Sequence, residues 1–272
     1  MDPMVVVFGI VNVTDDSFSD GGRFRTTEAA LAHGRRLWAE GAQVLDLGAE
    51  STHPDAADVP AAEEVRRLAP VVERLVAEGI PVSIDTCKPE VMRALAGAGI
   101  AWLNDVHGFR TAAALEAAAA APAAMRFVVM YSRSRAARAD RPADPEDGAT
   151  LVRELAEFVH ERLAAFAAVG VARERLVFDP GMGFFLGRTA APSLAVLRRL
   201  PELVGLGVPW LVSVSRKSLV GEVTGRPVAA RGPGTLAAEL AAARCGAAYL
   251  RTHDVAALRD GLLVERAIAL AP

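Results

Sequence analysis

Two short strings end in a carboxylate: VSID closes at Asp85 and LVFD closes at Asp179. A carboxylate accepts two parallel hydrogen bonds from a planar N–C–N donor edge. A 2-aminopyrimidinone ring has such an edge, and so does a guanidinium. Asn104 closes WLND, and its amide, which donates and accepts, suits the adjoining edge of the same ring. A single aspartate in this position reads first as a turn or helix cap; two of them with Asn104 argue for a site. SRKS brings Ser215, Arg216 and Lys217 directly after the apolar run VPWLVSV. In YLRTHD, Arg251 and His253 stand two apart, so an extended chain points both to one side. Cations there suit an anionic leaving group such as phosphate or pyrophosphate. Asn12, in VNVTDDSFSDGG, has two readings: a turn or N-cap, which the spacing favours, and an oxygen ligand for Mg2+, which takes few protein ligands beside phosphate oxygens.

One further string, DPGMGFFLGRT, sets Met182, Phe184, Phe185 and Leu186 where a surface loop is normally polar. Its glycines do not follow the GxGxxG spacing and Pro180 precedes them, which rejects a dinucleotide-binding turn; no Walker A pattern occurs either. Arg133, Arg135, Arg138 and Arg141 share a long loop and read as solvated charge, with anion attraction second. His33 and His160 fall on helical patterns and read as exposed.

These residues need a scaffold. Short β-rich runs recur at Val5–Val11, Val44–Leu47, Val82–Ile84, Ala101–Leu103, Phe127–Met130, Leu176–Phe178, Trp210–Val214 and Ala247–Arg251. Helical patterns lie between them. Thr27–Glu40 carries Leu31, Gly34 and Trp38 on one face; Pro60 opens a helix facing inward with Leu68, Val71, Val72 and Leu75; Pro89 opens another with Met92 and Leu95. Longer helices are expected at 149–168, 193–204, 234–244 and 255–269. Apolar strands alternating with helices imply a parallel sheet covered on both faces. The number of units points to an α/β fold of the (β/α)8 TIM-barrel type, with a doubly wound sheet as the other possibility. Helix-to-strand connections are terse, whereas strand-to-helix connections at 12–26, 48–60, 131–147, 180–192 and 215–233 are long. Functional loops in a barrel follow the strands. A barrel therefore gathers Asn12, Glu50, Asp85, Asn104, Tyr131, Asp179, Ser215, Arg251 and His253 around one mouth.

Composition sets the outer bounds. Of 272 residues, 52% are hydrophobic and 23% charged, so the chain can build a sizeable core. No Ser/Gly/Pro linker interrupts it, and residues 1–272 read as a single domain. A formal net charge of −3 supplies no attraction for nucleic acid. Cys87 and Cys245 form no CxxC or metal pattern. The N-terminus is a poor signal peptide and no apolar run approaches the ~20 residues of a membrane span. A cytoplasmic protein with no membrane partner is expected.

Several segments together resemble one family. FGIVNVTDDSFSDGG resembles an Asn-Val-Thr-Pro-Asp-Ser-Phe-Ser-Asp-Gly-Gly signature, and LDLGAESTHPDA, SIDTCKPEV, LNDVHGF, FDPGMGF, SVSRKSLVG and RTHDV resemble later motifs in the same order. The family is dihydropteroate synthase, and the resemblance covers residues 5–265. It implies a single-domain (β/α)8 barrel enzyme that joins 4-aminobenzoate to 6-hydroxymethyl-7,8-dihydropterin pyrophosphate, giving 7,8-dihydropteroate and pyrophosphate by a dissociative route. By motif, Asp85, Asn104, Asp179, Lys217 and Arg251 hold the pterin, with Asp85, Asp179 and Lys217 as the catalytic set. Asn12, Arg251 and His253 take the pyrophosphate, and Asn12 its Mg2+. Thr52, Pro54, Phe184, Phe185 and Ser215 shape the 4-aminobenzoate pocket. The resemblance also implies a homodimer through the late helices. Asp15, His53 and Tyr131 depart from the family's usual Pro, Arg and His. A narrower resemblance, in TDDSFSDGGR, HPDA, DPGMGFFLG and LVSVSRKS, is to the sulfonamide-insensitive members, and it implies tolerance of sulfonamides. Two other functions share parts of the pattern: a pterin-binding methyltransferase, which has no need of the Asn12–Asp20 loop, Lys217 or the Arg251/His253 pair, and a non-catalytic pterin-binding paralogue, which the three departures would motivate.

Overall fold

A computed structural model describes residues 5–13, 27–50, 58–133 and 140–271. Eight strands form one parallel sheet: β1 (Val6–Asn12), β2 (Val44–Gly48), β3 (Val82–Asp85), β4 (Trp102–Asp105), β5 (Arg126–Met130), β6 (Leu176–Asp179), β7 (Leu211–Val212) and β8 (Tyr249–Thr252). They pair in the order β6-β5-β4-β3-β2-β1-β8-β7. A parallel bridge between Phe178 and Trp210, with Phe178 N–H donating to Pro209 O at 2.9 Å, nearly closes the ring. The β7 ladder is shorter than the run Trp210–Val214 suggests. Pro209 has no N–H to return to β6, so regular pairing there is confined to the β8 side.

Helices α1 (Thr27–Ala39), α2 (Ala61–Ala77), α3 (Pro89–Ala96), α4 (Ala112–Ala120), α5 (Gly148–Ala168), α6 (Ala191–Val204), α7 (Ser218–Thr224), α8 (Gly232–Arg244) and α9 (Val255–Ala269) lie between and after the strands. They form the outer layer of a (β/α)8 barrel. The expected α2 face is the buried one, Leu68, Val71, Val72 and Leu75. On α1 the buried stripe is Ala30, Leu31, Gly34 and Leu37, and Trp38 is 40% exposed; the stripe is centred one residue earlier than expected. The stretch 215–233 is not one long loop, because α7 occupies its middle and ends at Gly225, whose left-handed φ of 67° stops the helix.

Period-two alternation sorts each strand into an outward residue under the helices and an inward residue inside the barrel. Phe8, Val44, Trp102, Val128, Val177, Leu211 and Tyr249 fill the lower interior. Phe8 and Tyr249 each meet the Trp102 ring edge-on, at 5.2 and 5.6 Å. This apolar plug closes one end, so polar inward residues further along the strands face only the other end.

Candidate functional site

Two residues beyond the plug the inward positions turn polar. Val44, Trp102, Val177 and Tyr249 are succeeded on the same face by Asp46, Asn104, Asp179 and Arg251. Asp46 is 0% exposed. Its Oδ2 accepts from Arg251 Nε at 2.5 Å and from Asn104 Nδ2 at 3.2 Å. Arg251 Nη2 donates to Asp85 Oδ2 at 2.7 Å. Arg251 thus spans β2 and β3 from β8, across the barrel. Asp46 Oδ1 and Ser83 Oγ are buried and have no hydrogen-bond partner. Buried polar atoms left this way normally face a ligand or water.

Burial governs the charges here. It pushes Asp85 up to about 7, with Arg251 pulling the other way. It raises Asp179 as well, opposed by Lys217 and by the Gly181 N–H, which donates to Asp179 Oδ1 at 2.7 Å. Burial lowers Lys217 to about 8, while Asp179 draws it back up. Burial also works against the Arg251 charge, but Asp46 and Asp85 outweigh it and raise its pKa. The Lys217 backbone is held firmly. Arg216 sits in the left-handed region at φ 58°, its N–H donates to Thr235 Oγ1 at 3.1 Å, and Arg231 Nη1 donates to Arg216 O at 2.8 Å and Lys217 O at 3.3 Å.

The other side of the mouth is an anion corner. Ser215 Oγ lies 2.9 Å from His253 Nδ1 and accepts the His253 N–H at 3.1 Å. Burial, then Arg216 and Arg251, hold the imidazole down at about 3, so the ring is neutral and acts as a single N–H donor. Asn12 ends β1 in register with Gly48, half-buried at the rim.

A family model described as pterin binding enzyme matches residues 8–253. The chain is 47% identical over 269 residues to a type-2 dihydropteroate synthase of Escherichia coli, covering 98% of this chain and 97% of that one. A solved Xanthomonas albilineans dihydropteroate synthase with 4-aminobenzoic acid superposes with a TM-score of 0.88 at 47% identity, over 98% of this chain and 94% of the other. A structure from the same organism in complex with 7,8-dihydropteroate gives 0.84 at 45% identity, over 98% and 95%.

The chain belongs to the dihydropteroate synthase family.

The motif residues of that family are divided by the fold into those that meet and those that do not. Asp85, Asn104, Asp179, Lys217 and Arg251 share the barrel interior, and Ser215 and His253 adjoin them. Thr52 and Pro54, with Asp15, His53, Arg135 and Arg138, lie outside the described residues. Tyr131 does not face the mouth. Its ring packs edge-on against Phe158 of α5 at 5.3 Å and its hydroxyl donates to Glu154 at 2.8 Å, because the alternation that turns Met130 inward turns Tyr131 outward. Glu50 is also withdrawn: Lys88 Nζ donates to it and, at 2.9 Å, to the buried Glu64. His33 is half-buried instead of exposed, its Nε2 3.3 Å from Ile10 O; His160 is exposed as expected.

The DPGMGFFLG turn is split in the same way. Met182 and Leu186 are fully buried in the layer between strands and helices. Phe185 instead joins Val106 and Met130 inside the mouth, with Phe184 and Cys87 alongside. Lys217 Nζ stands 5.6 Å from the Phe185 ring centroid. Gly181 takes a φ of 66°, and a Cβ there would sit 2.2 Å from Tyr131 O. The reading of Arg133 as solvated charge is corrected, since its side chain braces this turn, whereas Arg141 is exposed as expected. Arg133 N–H donates to Phe185 O at 3.1 Å and its guanidinium to Glu154 at 2.9 Å; Arg141 N–H donates to Phe184 O at 3.2 Å, and its guanidinium lies 4.5 Å from the Phe184 ring centroid. The Phe184 and Phe185 carbonyls have no strand or helix partner, so backbone N–H groups of the neighbouring loop satisfy them, and the Arg133 guanidinium adds a bond to Leu186 O at 3.4 Å. Asp46 is the residue that sequence reasoning missed. A lone charge inside the apolar run VLDLG, one step of alternation before Gly48, was the available signal.

Proposed function

We propose that the chain condenses 4-aminobenzoate with 6-hydroxymethyl-7,8-dihydropterin pyrophosphate to give 7,8-dihydropteroate and pyrophosphate by a dissociative route. The observation that carries this reading is the inward cluster of Asp46, Asp85, Asn104, Asp179, Lys217 and Arg251 in the family's barrel. Asp179 and Asn104 take the pterin donor edge, and Lys217 donates to its carbonyl side. Three carboxyls, Asp46, Asp85 and Asp179, face two cations, Arg251 and Lys217, and with all five ionised they leave one net negative charge, which burial, raising Asp85 to about 7, makes costly until a further cation joins them. A pterin ring cation formed as pyrophosphate departs is stabilised by that charge, since the surrounding groups are already desolvated. Arg251, His253 and Asn12 receive the pyrophosphate. Phe184, Phe185 and Ser215 border the flat 4-aminobenzoate ring.

Magnesium fits as an ion carried by the substrate. Among the described residues no three His, Cys, Asp or Glu side chains converge on a metal position. The Asn12 amide oxygen suits an ion that takes most of its ligands from phosphate and water. When bound, magnesium neutralises charge on the leaving group. A homodimer through the late helices is part of the same reading, supported by the exposed Leu263, Val264 and Ile268 on α9. So is a cytoplasmic location; no described helix is long and apolar enough to cross a membrane. Tolerance of sulfonamides is supported by Phe185, whose ring occupies the mouth where a sulfonyl group, bulkier than a planar carboxylate, would have to fit.

Mixing the two substrates with the protein and measuring pyrophosphate and dihydropteroate tests the activity. Both products should form in equal amounts. Folded protein that releases no pyrophosphate overturns the reading and leaves a methyltransferase or a non-catalytic pterin binder.

A further inference from the structure

The alanine-rich helix α8 carries one acid on its buried face. Glu239 is 2% exposed, and its Oε1 has no hydrogen-bond partner. Its carboxyl meets the hydroxyl of Thr252, which is itself wholly buried at the end of β8. From Thr252 Oγ1 the next hydroxyl, Ser215 Oγ, is 3.5 Å away, and Ser215 Oγ lies 2.9 Å from His253 Nδ1. We infer that Glu239 is a positioning residue: with Thr252 and Ser215 it forms a hydrogen-bond relay that keeps the proton of the His253 ring on Nε2.

Each hydroxyl has one hydrogen to donate. Ser215 already accepts the His253 N–H at 3.1 Å, and Thr252 accepts the Asp254 N–H at 3.2 Å. A protonated Glu239 donates to Thr252, Thr252 to Ser215, and Ser215 to Nδ1, which leaves the ring proton on Nε2. An ionised Glu239 reverses the order. Thr252 donates to the carboxylate, its oxygen is free to accept from Ser215, and Nδ1 can then carry the ring proton. Burial pushes Glu239 up to about 8; the Thr252 hydroxyl opposes the shift and Asp254, at the β8–α9 junction, adds to it. No other charged group among the described residues acts comparably on it. Glu239 is therefore protonated at neutral pH. The tautomer matters because the ring is neutral and has a single N–H. With that proton on Nε2, the ring presents a donor beyond the relay; with it on Nδ1, the outer nitrogen is a lone pair and repels an anion.

The use made of this tautomer rests on the reading of His253 as a pyrophosphate ligand, so the test has one arm without substrate. Nitrogen-15 NMR of histidine-labelled protein, assigned with His253→Asn, reports which ring nitrogen bears the proton. Wild type should show Nε2–H at pH 6 and lose that preference as pH passes about 8. Glu239→Gln should keep Nε2–H throughout, since its amide donates to Thr252 at every pH. Ser215→Ala should lose the preference at every pH. Wild type with Nδ1–H at pH 6, or a pH response that persists in Glu239→Gln, overturns the relay. In the second arm, KM for the pterin pyrophosphate should rise about fivefold over the same pH step in wild type beyond any rise in Glu239→Gln, the size expected for one lost hydrogen bond. Tautomers that behave as expected with KM indifferent to them uphold the relay and overturn the anion role of His253.

Discussion

Asp46 holds Arg251 in place, and its removal should be costly in two separate ways. The Arg251 side chain is 16% exposed, and its guanidinium is bonded at 2.5 Å to Asp46 and 2.7 Å to Asp85. Deleting one partner of a buried ion pair costs about 3–5 kcal/mol, because the other charge stays buried. Asp85 still compensates Arg251, so Asp46→Ala should lie near the lower end, at about 3 kcal/mol. Asp46→Asn retains an oxygen acceptor and should cost less, about 1.5–3 kcal/mol. The coupling can be isolated by a cycle. In an Arg251→Met background there is no guanidinium to strand, and Asp46→Ala should cost at least about 1 kcal/mol less. Catalysis should suffer independently. With Nε untethered the guanidinium can swing on Asp85 alone, and a displacement near 1 Å is worth about 100-fold in rate. Urea unfolding with a shared m-value gives the first quantity, and kcat/KM from pyrophosphate release gives the second. An Asp46→Ala protein that unfolds within about 0.5 kcal/mol of wild type, or keeps kcat/KM within about twofold, would refute the claim that Asp46 organises the site.

Three shorter predictions follow from the same geometry. Asp179 raises the Lys217 pKa against burial, so Asp179→Asn should lower it; the alkaline limb of kcat/KM, expected near pH 8 in wild type, should move to lower pH, and an unmoved limb would assign it to another group. Phe185→Gly should lower the sulfonamide Ki toward or below the 4-aminobenzoate KM while the fold persists, and an unchanged ratio of the two would return Phe185 to a packing role. Gly181→Ala puts a Cβ 2.2 Å from Tyr131 O at a φ of 66°, and should cost about 2–4 kcal/mol in thermal or urea unfolding; a loss under about 0.5 kcal/mol would mean that the turn relaxes freely.

The strand ends Asp85, Asn104 and Asp179 were legible because a parallel barrel carries its chemistry where the strands stop, and the strands stop at polar residues. Arg251 and His253 were legible from their spacing, since two positions on an extended chain share a face. Tyr131 was misplaced although its strand was read correctly. Being next past a strand end does not say whether a side chain continues the inward or the outward row, and Met130 had already taken the inward one. Arg133 was misread for a related reason. A loop arginine can be solvated or can bind carbonyls, and the carbonyls it meets belong to a turn some fifty positions later in the chain.

The alternation of apolar runs and helical stripes, with terse loops on one side and long ones on the other, determined the barrel and the end that carries function. Those patterns are local, set by the backbone period of strand and helix. The partners of buried charges are not local. Asp46 and Arg251 are separated by 205 positions and meet at 2.5 Å; Glu239 reaches His253 only through Thr252 and Ser215. Only closing the sheet fixed which inward residues face one another. The low dielectric inside that ring shifted Asp85, Asp179 and Lys217 away from their ordinary ionisation, and burial between α8 and the sheet did the same to Glu239, a consequence that no spacing in the chain records.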